Sequence, residues 1–89
     1  MKSKYNFEQM ELDGEIVAVP VGDNASELHA VLNLNEEAMR ILELLKEETT
    51  EEKIVAQLQT EYEGSTKEEI KPLVRAFVDQ LRQEGLLEE

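Results

Sequence analysis

The hydrophobic period of this chain changes once, at Asn35. Before it, apolar residues come in short runs rich in β-branched side chains; after it, they recur every three or four residues as far as Leu81. The first spacing suits strands and the second suits helices. A chain ordered in this way has to cover a small antiparallel sheet with helices, because a lone three-stranded sheet is barely stable. The predicted fold class is therefore α+β, a three-stranded antiparallel sheet followed by three helices, in one domain over residues 1–89.

The strands are expected over about residues 5–32. Tyr5 to Leu12 leads into Asp13-Gly14, a dipeptide suited to the positive φ angles of a tight hairpin, and then into Glu15-Ile16-Val17-Ala18-Val19. Pro20 lacks an N–H for the ladder and is expected to close the second strand. The polar stretch Val21 to Glu27 reads as a loop. Leu28-His29-Ala30-Val31-Leu32 reads as a third strand, with Leu28, Ala30 and Leu32 on one face and His29 and Val31 on the other.

The helices are expected over about residues 35–85. Asn35 is a suitable N-cap, with Glu36 and Glu37 in the first turn and Ala38, Ile41, Leu42 and Leu45 on one side. Thr49 and Thr50 supply the next cap, and Thr49 with Glu52 fits the capping-box spacing, for a second helix carrying Ile54, Val55, Leu58 and Tyr62, ended by Gly64. Ser65 with Glu68, or Thr66 with Glu69, caps a third helix along Ile70, Leu73, Val74, Phe77, Val78 and Leu81, ending near Gly85. Pro72 predicts either a kink or a start later than those caps suggest.

Composition excludes several classes. The 89 residues hold 21 Asp and Glu against 9 Lys and Arg, a formal net charge of −12, and no cysteine. A chain this short buries roughly 60–65% of its unfolded surface, which leaves no room for a large substrate cavity. The absence of cysteine excludes disulfides, thiolate zinc sites, iron–sulfur clusters and thiol nucleophiles. No apolar run is long enough for a membrane span and no signal-peptide pattern opens the chain, so a cytoplasmic protein with no membrane partner is expected. The net charge repels polyanions and argues against nucleic acid.

No catalytic constellation appears. Ser3, Ser26 and Ser65 lack a nucleophile-elbow context, His29 is the single histidine, and the four glycines are scattered. Neither Ser26 nor Ser65 sits in the Asp-Ser-Leu setting of a phosphopantetheine carrier. The expectation is a non-enzyme with no cofactor and no metal.

Two features suggest binding of another chain. An outer strand presents unpaired N–H and C=O groups. The first strand is blunted by Glu8 and Glu11, whereas Leu28, His29, Ala30, Val31 and Leu32 carry no formal charge. On the third helix, Lys67, Lys71, Arg75 and Arg82 fall within a band of roughly 80° beside Val74 and Val78. The plain reading is a solvated face with ion pairs such as Arg75 with Asp79; the other is one bank of a groove for a peptide with apolar anchors and carboxylates.

The run from Leu32 to Leu45, then Glu48 to Ile54, Tyr62, Val74 to Leu81 and Glu84-Gly85-Leu86-Leu87, with the Gly14 to Val19 hairpin, resembles the PqqD family. These are the peptide-recognition proteins of ribosomally made, post-translationally modified peptide pathways, named for pyrroloquinoline quinone synthesis. The resemblance implies a winged helix-turn-helix-like domain. It further implies that the leader segment of a precursor peptide adds as a strand to the third strand and packs against the third helix. The domain then presents that leader to a separate modifying enzyme, such as a radical SAM protein. Carried onto this chain, the site is Leu28, His29, Ala30, Val31 and Leu32 with Val74, Arg75, Val78 and Arg82, to which the basic band adds Lys71. Two positions depart from the pattern: Leu42 replaces an aromatic residue of the first helix, and Lys71-Pro72 stands where an Asp is common.

The functional expectation is a leader-binding chaperone, monomeric or weakly dimeric, with pockets between Ala30 or Val31 and Val74 or Val78 for apolar anchors. Arg75 and Arg82 would favour an acidic leader. The alternative is a winged-helix DNA-binding transcriptional regulator using the third helix, and a further one is a structural subunit that dimerises through the same edge.

Overall fold

The computed structural model describes residues 1–22 and 32–89. In chain order the elements are β1 (Lys2–Ser3), β2 (Asn6–Leu12), β3 (Glu15–Val21), β4 (Leu32–Leu34), α1 (Glu36–Leu44), α2 (Glu51–Glu61), α3 (Lys67–Gln83) and β5 (Leu87–Glu88). The expected α+β class is present: a three-stranded antiparallel sheet in the order β2-β3-β4 precedes three helices. The Asp13-Gly14 turn forms as its sequence predicts, with both residues at positive φ, 51° and 82°, so that Leu12 faces Glu15 across the hairpin.

Two expectations about the strands need correction, and one pairing is additional. Pro20 lies inside β3, opposite Phe7. Among the described residues β4 pairs with Ile16 to Ala18, and Pro20 lies beyond that pairing, next to the end of β3 at Val21. The described third strand runs from Leu32 to Leu34, two residues beyond its expected end, because Leu32-Asn33-Leu34 alternates buried, exposed, buried. Leu28, His29, Ala30 and Val31 lie outside the described residues. A two-stranded ribbon of β1 with β5 was not foreseen; its strands are two residues each, too short to show a period.

Helix starts follow from local capping. The Asn35 side chain accepts from the Ala38 N–H at 2.8 Å, and Thr66 and Glu69 form a reciprocal capping box. Helix α2 is capped by Thr50, which accepts from the Lys53 N–H, rather than by a Thr49–Glu52 box. Helix α3 starts at Lys67 with Pro72 inside it, so the late start considered for this helix does not occur. The Glu68 carbonyl loses its intrahelical partner there, on an exposed turn where water can replace it. At the other end Gly85, at φ 72°, lets Leu86 N–H reach Leu81 C=O at 2.9 Å and Gly85 N–H reach Arg82 C=O at 3.0 Å. This paired closure turns Leu86 back into the core.

The core joins both layers. Ala18, Leu32 and Leu34 from the sheet meet Ile41, Leu45, Ile54, Leu58, Val74, Val78 and Leu81 from the helices. Among the described residues no helix is long and apolar enough to cross a membrane.

Candidate functional site

The outer edge of β4 is where the sheet stops. Its inner neighbour is β3, and among the described residues no strand lies beyond it. Leu32 and Leu34 point into the core and Asn33 points outward. Asn35 then caps α1 at once, so the end of the strand and the first turn of the helix form one corner. Helix α3 passes this corner with Leu73, Ala76, Phe77 and Gln80 towards it, the i, i+3, i+4, i+7 spacing of a single helix face.

Between corner and helix lies a cleft of about 270 Å³, with Asn33, Ala38 and Ile41 on one bank and Leu73, Ala76 and Phe77 on the other. That is slightly below the ~300–1,000 Å³ of typical ligand pockets and suits one or two side chains rather than a cofactor. Leu73 is 56% exposed at its mouth. A single exposed leucine carries little weight alone; this one is continuous with Phe77 and Ile41 and stands beside an open strand edge. The cleft also runs on in both directions. Glu37, Ile41 and Leu73 are shared with a depression reaching Tyr62 and Ser65, and Asn33 and Asn35 with one reaching Glu15 and Ile16. Together they make a groove along the corner.

The residues expected from sequence do not all come together here. Leu32 lies on the edge strand with its side chain 2% exposed. Val74 and Val78, expected at the exposed margin of the apolar stripe, are both 0% exposed and belong to the core. Lys71 and Arg75 line a different groove, between α2 and α3, with Glu51, Val55 and Pro72. Arg75 pairs with Glu51 at 3.3 Å and Asp79 at 3.6 Å, and Arg82 with Asp79 and Glu89, both at 3.0 Å. The hydrogen bond to Glu89 chiefly raises the Arg82 pKa and keeps its charge engaged within the chain.

The reason is helical geometry. At about 100° per residue, Leu73, Ala76 and Gln80 stand roughly opposite Lys71, Arg75 and Arg82, one group on each flank of the buried stripe. Charge draws attention to the basic flank, but the flank that meets the edge strand is the uncharged one. The available signal was Leu73 at the margin of the stripe, followed on the same face by small Ala76 and uncharged Gln80.

Electrostatically the groove is acidic on its α1 side. Burial first, then the carboxylates of Glu37 and Glu36, hold the Tyr62 hydroxyl above its ordinary pKa. Among the described residues no group of three metal-binding side chains occurs.

The described residues thus form a small helix-backed sheet whose β4 edge lies beside an apolar cleft. The family model of PqqD, coenzyme PQQ synthesis protein D, matches residues 15–87, and the chain belongs to that family. Among solved structures, TbiB1 in complex with the TbiA(beta) leader peptide is similar, with a TM-score of 0.71 at 25% identity over 99% of this chain and 95% of that one. No curated protein sequence matches.

Proposed function

We propose that the chain binds the leader segment of a ribosomally made precursor peptide. The leader would lie as an added strand along β4, place an apolar side chain in the cleft between Ile41 and Phe77, and so be presented to a separate modifying enzyme, such as a radical SAM protein. One observation carries this reading: the β4 edge, which no strand covers among the described residues, and the apolar flank of α3 face the same cleft. Backbone bonds along the edge would give affinity, and the cleft would select the anchor. The similarity to TbiB1, whose structure holds a leader peptide, supports it. The role is one of binding rather than catalysis, in the cytoplasm where precursor peptides are made.

The DNA-binding alternative has less support, since Arg75 and Arg82 are paired with carboxylates and Glu51 and Asp79 lie beside them. Phosphates would have to displace these contacts.

The test is a titration with a leader peptide encoded beside the gene, followed by calorimetry and amide NMR. Amides of Asn33, Leu34, Leu73 and Phe77 should shift. Ala76→Phe, which fills the cleft from an exposed helical position, should weaken binding at least tenfold, and Leu73→Ala should weaken it about five- to tenfold, as expected for lost apolar contact. Undiminished affinity in Ala76→Phe, or shifts confined to Lys71 and Arg75, would remove the proposal.

A further inference from the structure

Taking the peptide-binding reading as given, we infer that the groove selects a cationic leader, with lysine or arginine flanking the apolar anchor. The basic band of α3 suggests the opposite, but it lies on the far flank of that helix. The charged side chains along the β4–α1–α3 groove and its two extensions are Glu15, Glu36 and Glu37, and no lysine or arginine lines it among the described residues. All three carboxylates are at least partly exposed, and none takes part in an ion pair among the described residues. Each is therefore available to a ligand.

The arginines of the chain are committed elsewhere. The chain has three arginines, and each is held by carboxylates: Arg40 by Glu43 and Glu61, Arg75 by Glu51 and Asp79, Arg82 by Asp79 and Glu89. Lys67 and Lys71 line the groove behind α3.

Glu36 and Glu37 also occupy the first turn of α1. The helix end contributes roughly half a positive charge there, which two carboxylates more than cancel. An acidic peptide entering this corner would meet unpaired like charge, on a molecule whose net charge is already −12. A basic one would gain both contact and steering.

Two synthetic peptides about a dozen residues long test this, sharing one apolar core and flanked either by lysines or by glutamates. In low salt the lysine-flanked peptide should bind at least about tenfold more tightly, and the gap should close near 1 M salt, where screening acts over about 3 Å. The double variant Glu36→Gln, Glu37→Gln should lose most of the preference, with a thermal melt confirming that it folds. Lys67→Gln with Lys71→Gln should leave the preference unchanged. Equal affinity for the two peptides, or a preference for glutamate, with shifts at Asn33, Leu73 and Phe77, would overturn the charge selection and leave strand addition standing. Shifts only at Lys71 and Arg75 would overturn both.

Discussion

Arg40 and Glu61 show how much one polar pair does for this fold. The guanidinium donates through Nε and Nη2 to the two oxygens of Glu61, each at 2.7 Å, and so ties α1 to the end of α2. Gln57 donates to the same carboxylate at 2.7 Å. The Arg40 bonds first, and then Gln57, hold the Glu61 carboxyl down at about 2 against an ordinary value of 4.5. A folded value below the unfolded one means that this contribution is complete above the unfolded pKa. It is lost as pH falls from 4.5 through about 2. The pair is partly exposed and screened, so its worth is about 1 kcal/mol. Glu61→Gln should therefore cost about 1 kcal/mol in urea unfolding near neutral pH and close to nothing at the acid end of that range, whereas a cost independent of pH would contradict the assignment.

At the scale of elements, α3 carries three surfaces: a buried stripe, a basic flank engaged in ion pairs, and an uncharged flank beside β4. These should separate in mutagenesis. Val78 is fully buried, so Val78→Ala should cost about 2–3 kcal/mol of stability. Leu73 is mostly exposed, and Leu73→Ala should change stability by less than about 0.5 kcal/mol while weakening peptide binding. Thermal melts of the two variants decide this; a large loss of stability in Leu73→Ala would mean that its role is structural.

Much of the fold was legible because its signals are local. Asp13-Gly14, Asn35 and Thr66 with Glu69 each set a turn or cap through their own backbone chemistry, and the stripe from Ile70 to Leu81 names the buried face of α3. What escaped depended on neighbours distant in sequence. The ribbon of β1 and β5 joins residues far apart in the chain, and the alternation of Leu32 and Leu34 is interrupted by polar Asn33 and cut off by the Asn35 cap, too short to show a strand by itself. The site was half legible for the same reason: an edge strand can be suspected from missing charge, but which flank of α3 meets it depends on where α1 and α2 place that helix.

Across the whole molecule, the sheet has two outer strands with opposite character. At β4 the described edge is bordered by a cleft. At β2, six of seven residues are exposed, with Met10 and Leu12 uncovered, and Glu8 and Glu11 supply the charge along it. If a foreign strand adds at β4 as proposed, β2 presents a strand at the other edge, and the two edges of separate copies are complementary. Joined β4 to β2 they would make a head-to-tail contact, which forms an open filament wherever its rotation does not bring the chain of copies back on itself. Glu8→Thr with Glu11→Val should accordingly remain folded when dilute and scatter light with thioflavin-positive growth when concentrated, while the parent chain stays clear; an equally clear variant would show that the two carboxylates have no such role. On this view the acidity of β2 would let a domain with a receptive β4 edge stay monomeric in a crowded solution rather than polymerise into a fibre of its own copies.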